Sequence, residues 1–155
     1  MIIDEGELND FFLPDLDRPD WKAPLGEAFD RALCYLEGLP DRPVRSTASL
    51  AELRASLGGP VPEGPSDPRE VIAELATAAE PGLLPSSSGR FFGFVIGGAT
   101  PAAVAADWLT SMWDQNAGLY VVGPAASVVE EVAGAWLAEL FGLPHQVSVG
   151  FVTGG

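Results

Sequence analysis

The chain is poor in the residues that most enzymes use directly. In 155 residues it has one cysteine, Cys34, one histidine, His145, and one lysine, Lys22. A lone cysteine excludes an internal disulfide. Cys34 falls between Leu33 and Leu36 in a helical pattern, so a buried structural thiol in a reducing, cytoplasmic compartment is the expectation. His145 follows Gly-Leu-Pro with no Cys, His or carboxylate spaced to assist it. Neither a metal site nor a Ser, His and Asp constellation can be assembled around it, and it reads as a loop residue. No lysine or arginine occurs after Arg90, and the net charge is -14 with a pI near 4.1. Such a surface repels phosphates, which argues against nucleic acid and anionic membrane as partners. The N-terminus has no basic start and no long apolar run, so no secretory signal is read there. Residues 91–106 are uncharged, but Gly97, Gly98 and Pro101 interrupt them and Asp107 closes the run, which argues against a spanning helix.

What is present is apolar. Hydrophobic residues make up 47% of the chain, enough for a globular class and against disorder. The charges are unevenly placed. From Phe91 to Gly155 only Asp107, Asp114, Glu130, Glu131 and Glu139 are charged. A domain surface normally mixes many charges, so this second part reads as interior, to be covered by chain elsewhere or by a partner.

Helical spacing organises the first part. Leu25, Phe29, Leu33 and Leu36 predict a helix over roughly Pro24–Glu37, stopped by Gly38, Pro40 and Pro43. Ser49 and Glu52 form an S-x-x-E box before a second helix with Leu50, Leu53 and Leu57 on one stripe. Pro60 to Pro68 is a stiff extended linker. Asp67 and Pro68 then predict a cap and first position for a third helix that turns Val71, Ile72 and Leu75 inward. Pro81 and Gly82 end it. Residues 1–89 thus form a helical arm with its proline-rich linker at 60–68.

The second part, 90–155, opens with the aromatic and β-branched run Arg90–Ile96, which is compatible with extended chain. Thr100 and Pro101 start a helix that Val104, Trp108, Leu109, Met112 and Trp113 make nearly all apolar, and a buried helix is expected. Pro124 begins another, with Val129, Val132, Trp136 and Leu140 on its expected buried face and Gly142 and Pro144 as the stop. Val147, Val149 and Phe151 alternate in Gln146–Val152, the pattern of a strand, which runs into Thr153, Gly154 and Gly155. On its own, Thr-Gly-Gly is satisfied by a tight turn that binds nothing. A strand opening into a glycine turn is also where an α/β domain exposes backbone amides to phosphate.

The ordered runs RFFGFVIGGATP (90–101), ADW around Asp107, DQNAG (114–118), PAASVVEE (124–131) and WLAELFGLP (136–144) resemble the group II pyridoxal-phosphate-dependent amino-acid decarboxylases. That family includes the aromatic amino-acid, glutamate and histidine decarboxylases. ALCYLEGL (32–39) and the prolines after it are similar to its N-terminal helical arm. The resemblance implies a mainly helical chain: an arm followed by the first elements of an α/β large domain of the aspartate aminotransferase type, fold type I. It implies a cytoplasmic homodimer formed through the arm and the apolar second half, with the active site at the dimer interface. Phe94, Val95, Ile96 and Gly97 correspond to a substrate-pocket loop, and Asn116 to Leu119, with Asn116 and Gly118 as its pocket residues, to a segment reaching the neighbouring pocket. Thr153, Gly154 and Gly155 correspond to the entry of the turn that holds the phosphate of pyridoxal 5'-phosphate.

The family's histidine and proline before the aromatic run are replaced here by Ser88 and Gly89. The chemistry needs a lysine for the aldimine, an acid at the pyridine nitrogen and a ring stacked on the cofactor, and in the family all three follow the phosphate turn. Lys22, ahead of the first helix, does not qualify. The expectation is therefore an N-terminal fragment of a carboxy-lyase that converts an L-amino acid to an amine and carbon dioxide. The fragment itself has no catalytic residue and no metal, is inactive alone and does not hold the cofactor by itself. The alternatives are a non-catalytic helical interaction module and a regulatory partner of a full-length decarboxylase.

Overall fold

The computed structural model describes residues 19–152 apart from Ala117 and His145. Among these residues the regular structure is helical, with no strand. The helices are α1 (Lys22–Gly38), α2 (Leu50–Leu57), α3 (Pro68–Ala79), α4 (Pro101–Trp113) and α5 (Pro124–Leu140), with a 3₁₀ turn at Glu80–Gly82. The chain divides into two compact units, the first ending at Gly98 and the second beginning at Ala99.

Local chemistry sets the helix starts. Asp20 Oδ1 accepts the amides of Lys22 (2.9 Å) and Ala23 (3.3 Å), which begins α1 two residues before the expected Pro24. At α2 the capping box is complete: Ser49 Oγ accepts the Glu52 amide, and Glu52 Oε2 accepts the Ser49 amide at 2.8 Å. These bonds to Ser49 hold the Glu52 carboxyl below its ordinary pKa. Asp67 Oδ1 accepts the amides of Arg69 and Glu70 ahead of α3, with Pro68 at the first position. Thr100 caps α4 through the Ala103 amide. The end of α5 is a Schellman closure, with Leu143 N donating to Ala138 O and Gly142 N to Glu139 O, and Gly142 at φ 64 supplies its left-handed residue.

In the first unit α3 is the centre, packing along both α1 and α2. Polar ties fix these packings. Glu27 on α1 accepts from Arg31 Nε (2.9 Å) and, across to α3, from Arg69 Nε (3.2 Å). The loop after α1 is gathered onto the Pro81 carbonyl, which accepts the amides of Thr47 (2.9 Å) and Ala48 (3.2 Å) and lies within reach of both the Ser46 and Thr47 hydroxyls. Arg42 stacks over the Tyr35 ring at 4.3 Å and donates to Glu80 at 2.7 Å, while Tyr35 donates to the Leu84 carbonyl.

The expected burial does not form. No large hydrophobic side chain among the described residues is buried; the buried positions are Pro85, Ser88, Gly123 and Gly134. Cys34 is exposed rather than a core thiol. Val71 and Leu75 are exposed rather than turned inward. On α4, Met112 and Trp113 are exposed and Trp108 stands at the border of exposure, and α5 presents Val129, Val132, Trp136 and Leu140 to solvent. The apolar stripes are where the periodicity puts them, but the described residues supply nothing broad enough to cover them.

Two segments expected as extended differ as well. Arg90–Ile96 is irregular, with a bend at Gly93 and a turn at Phe94 and Val95, and Gln146–Val152 pairs with no other strand among the described residues. A strand needs a neighbour for its amides and carbonyls. Here Val147 donates back to Pro144 O instead, and Val149 lies against α5 at Gly134, where a Cβ would sit 3.3 Å from the valine Cβ.

Two predictions follow from the ties. Ser49→Ala removes one half of the α2 box directly and unseats the other, and is expected to cost about 1 kcal/mol; helical content followed through a urea titration checks it, and an unchanged midpoint would count against the box. The Arg31 and Arg69 guanidiniums hold the Glu27 carboxyl below its ordinary pKa. Its contribution is therefore present above the ordinary carboxylate range and is lost as pH falls through the depressed pKa of the folded chain. An NMR titration of the Glu27 carboxyl should give a midpoint below that of a free glutamate, and the α1–α3 packing of Glu27→Gln should lose that part of its acid sensitivity.

Candidate functional site

The pocket loop expected at Phe94–Gly97 rises from an anchored base. Ser88 is buried, its amide donates to Pro85 O at 2.8 Å, and its carbonyl accepts the Phe91 amide at 3.0 Å. Ser88 Oγ also accepts the Arg90 amide, while the Arg90 guanidinium reaches Pro40 O at 2.9 Å. Ser88 and Gly89 thus form a serine turn that Arg90 ties back to Pro40.

Above that base the loop is apolar and strained. Phe94 and Val95 have φ of 60° and 51°, a region that side chains, β-branched ones above all, adopt at a cost of about 1–3 kcal/mol each. Phe94 is 87% exposed and Val95 fully so; Ile96 and Gly97 are exposed as well. No charged residue lies between Arg90 and Asp107.

Asn116 and Gly118 belong to the second unit and are held by local hydrogen bonds. Asp114 ends α4 in the left-handed region (φ 45°), where a short polar side chain is tolerated. Gln115 Nε2 donates to Trp113 O, and Asn116 Oδ1 accepts the Gly118 amide at 2.9 Å. The Asn116 carbonyl then meets the buried Gly123, where a Cβ would lie 2.2 Å from that oxygen. Sequence reading did not single out Gly123; a glycine just before a helix-starting proline was the available signal. The side-chain oxygen of Asn116 holds the Gly118 amide with one of its two lone pairs.

Beside this turn Thr110, Trp113, Ala126, Val129 and Phe151 line an apolar groove of about 380 Å³. A second groove, of about 720 Å³, runs between α5 and Val147–Val149 and is rimmed by Glu130, Glu131 and Glu139. Thr153, Gly154 and Gly155, the expected phosphate contacts, lie outside the described residues. Among the described residues no group of His, Cys, Asp and Glu is placed to hold a metal ion, and no helix is long and apolar enough to cross a membrane.

These residues do not by themselves form a seat for pyridoxal phosphate. Lys22, the one lysine, is exposed at the first position of α1, with its backbone amide tied to Asp20. Neither Phe94–Gly97 nor Asn116–Gly118 contains a side chain that could meet a phosphate or a pyridine nitrogen with charge.

Comparison with known proteins supplies the relatives. The chain is 28% identical over 129 residues to an aromatic-L-amino-acid decarboxylase of Bacillus atrophaeus, a stretch that takes in 83% of this chain and 27% of the relative. It is 26% identical over 144 residues to tryptophan decarboxylase 1 of Oryza sativa subsp. japonica, covering 90% of this chain and 28% of that one. Tyrosine decarboxylase 2 of Arabidopsis thaliana is 32% identical over 117 residues, 71% of this chain and 20% of its own length. The resemblance to group II decarboxylases is borne out, and the chain spans about a quarter of the length of these curated relatives, a share consistent with their N-terminal portion. No family model and no solved structure matches the chain.

The Asn116 turn makes its own prediction. Gly123→Ala places a methyl against the Asn116 carbonyl and is expected to unseat the turn, whereas Asn116→Ala removes only the side-chain bond. Amide NMR should show Gly118 losing its hydrogen-bonded shift in both variants, with the amides of the first turn of α5 perturbed in Gly123→Ala alone. A Gly123→Ala chain with native Gly118 and α5 amides would refute the close approach.

Proposed function

We propose that this chain is the helical arm and first layer of an amino-acid decarboxylase, working as part of a longer polypeptide and within a homodimer. On this reading residues 1–89 are the arm, with its proline linker at 60–68, and residues 90–155 begin a fold type I large domain. The observation that carries it is the joint one of relatives and surface. The relatives are amino-acid decarboxylases of which the chain spans about a quarter, and its apolar helix faces lie uncovered. A self-sufficient module of this size would bury its tryptophans, but Trp136 is 66% exposed.

On the same reading the intact protein is a carboxy-lyase that uses pyridoxal 5'-phosphate, which supplies the electron sink for the carbon dioxide to leave an L-amino acid. Phe94, Val95, Ile96 and Gly97 form an apolar pocket wall, and Asn116 and Gly118 present a turn toward the neighbouring subunit's pocket. Thr153, Gly154 and Gly155 open the phosphate turn. The residues that condense with the cofactor and hold its ring come from outside this stretch. The contribution of this chain is shape, exclusion of water and dimer surface. Its uncharged loop favours a substrate side chain without charge, because a carboxylate buried there would find no partner among the loop's own residues.

The 155-residue chain alone is expected to give no aldimine absorbance with pyridoxal phosphate and no borohydride-trapped adduct; a stoichiometric yellow adduct would overturn the reading of Lys22. It should also bind a hydrophobic dye and self-associate. A compact, dye-silent monomer at high concentration would favour an independent module. The decisive test is a graft. Exchanged for the matching stretch of the Bacillus atrophaeus relative, this chain should restore a dimer that decarboxylates an aromatic amino acid, and a grafted protein that folds and binds the cofactor as a monomer would count against the proposal.

A further inference from the structure

We draw no further inference here: the strongest candidate, the acid-rimmed groove of about 720 Å³ between α5 and Val147–Val149, rests on a cluster of carboxylates alone, with no second observation among the described residues that points to a ligand there.

Discussion

Amphipathic helices are stable in water when their apolar faces meet a common interior, and the described residues of this chain have the faces without the interior. Burying one large apolar side chain contributes roughly 1.5–3 kcal/mol. Here that contribution is only partly collected at any position, because Leu25, Leu33, Leu36, Met112, Trp113 and Trp136 all remain exposed. Short helices are marginal by themselves, so what the sequence does not gain from packing it has to secure by termination chemistry and by polar ties.

The first unit shows this economy most clearly. Each of its helices begins at a side chain that satisfies free amides: Asp20, Ser49 and Asp67. Its loops are then fastened to single points. The Pro81 carbonyl collects the Thr47 and Ala48 amides, and Arg42 binds Tyr35 by its charge and Glu80 by a hydrogen bond. Exposed ion pairs contribute little singly. Arg42 differs because its side chain is only 17% exposed and works against a ring as well as a carboxylate. Such ties define geometry at low energetic gain, in a unit whose apolar side chains remain exposed among the described residues.

The caps at Ser49, Asp67 and Thr100, the helix order and the three proline starts at Pro68, Pro101 and Pro124 were legible in the sequence, because capping depends on two or three neighbouring residues, whereas the start at Asp20 was not anticipated. Ser49 with Glu52 specifies its own helix start whatever lies around it. Burial was not legible to the same degree. The periodicity of Val129, Val132, Trp136 and Leu140 states which face seeks cover, and cannot state whether the cover is in the same chain. Gln146–Val152 makes the point for strands, since alternation marks a strand-competent segment while the ladder needs a second one. At Phe94 and Val95 the sequence pointed the wrong way, as aromatic and β-branched residues favour extended chain and yet occupy left-handed backbone. Gly123 was passed over for a related reason: its role lies in the approach of the Asn116 carbonyl, which no local pattern announces.

The strained loop and the uncovered helices bear on one another. A left-handed valine that is fully exposed has no contacts of its own to offset its backbone cost. The anchored base at Ser88 fixes where the loop begins, but it does not reach as far as Val95. Packing of Phe94 and Val95 against a covering surface would supply the missing compensation, at the same time as it withdrew two of the most exposed apolar side chains from water. The same cover would convert an uncharged, solvated run into a dry wall, where a buried charge would be felt more strongly than in water and an apolar group would be favoured. Strain, apolarity and the absence of charge between Arg90 and Asp107 thus describe a loop that a covering surface would stabilise on all three counts.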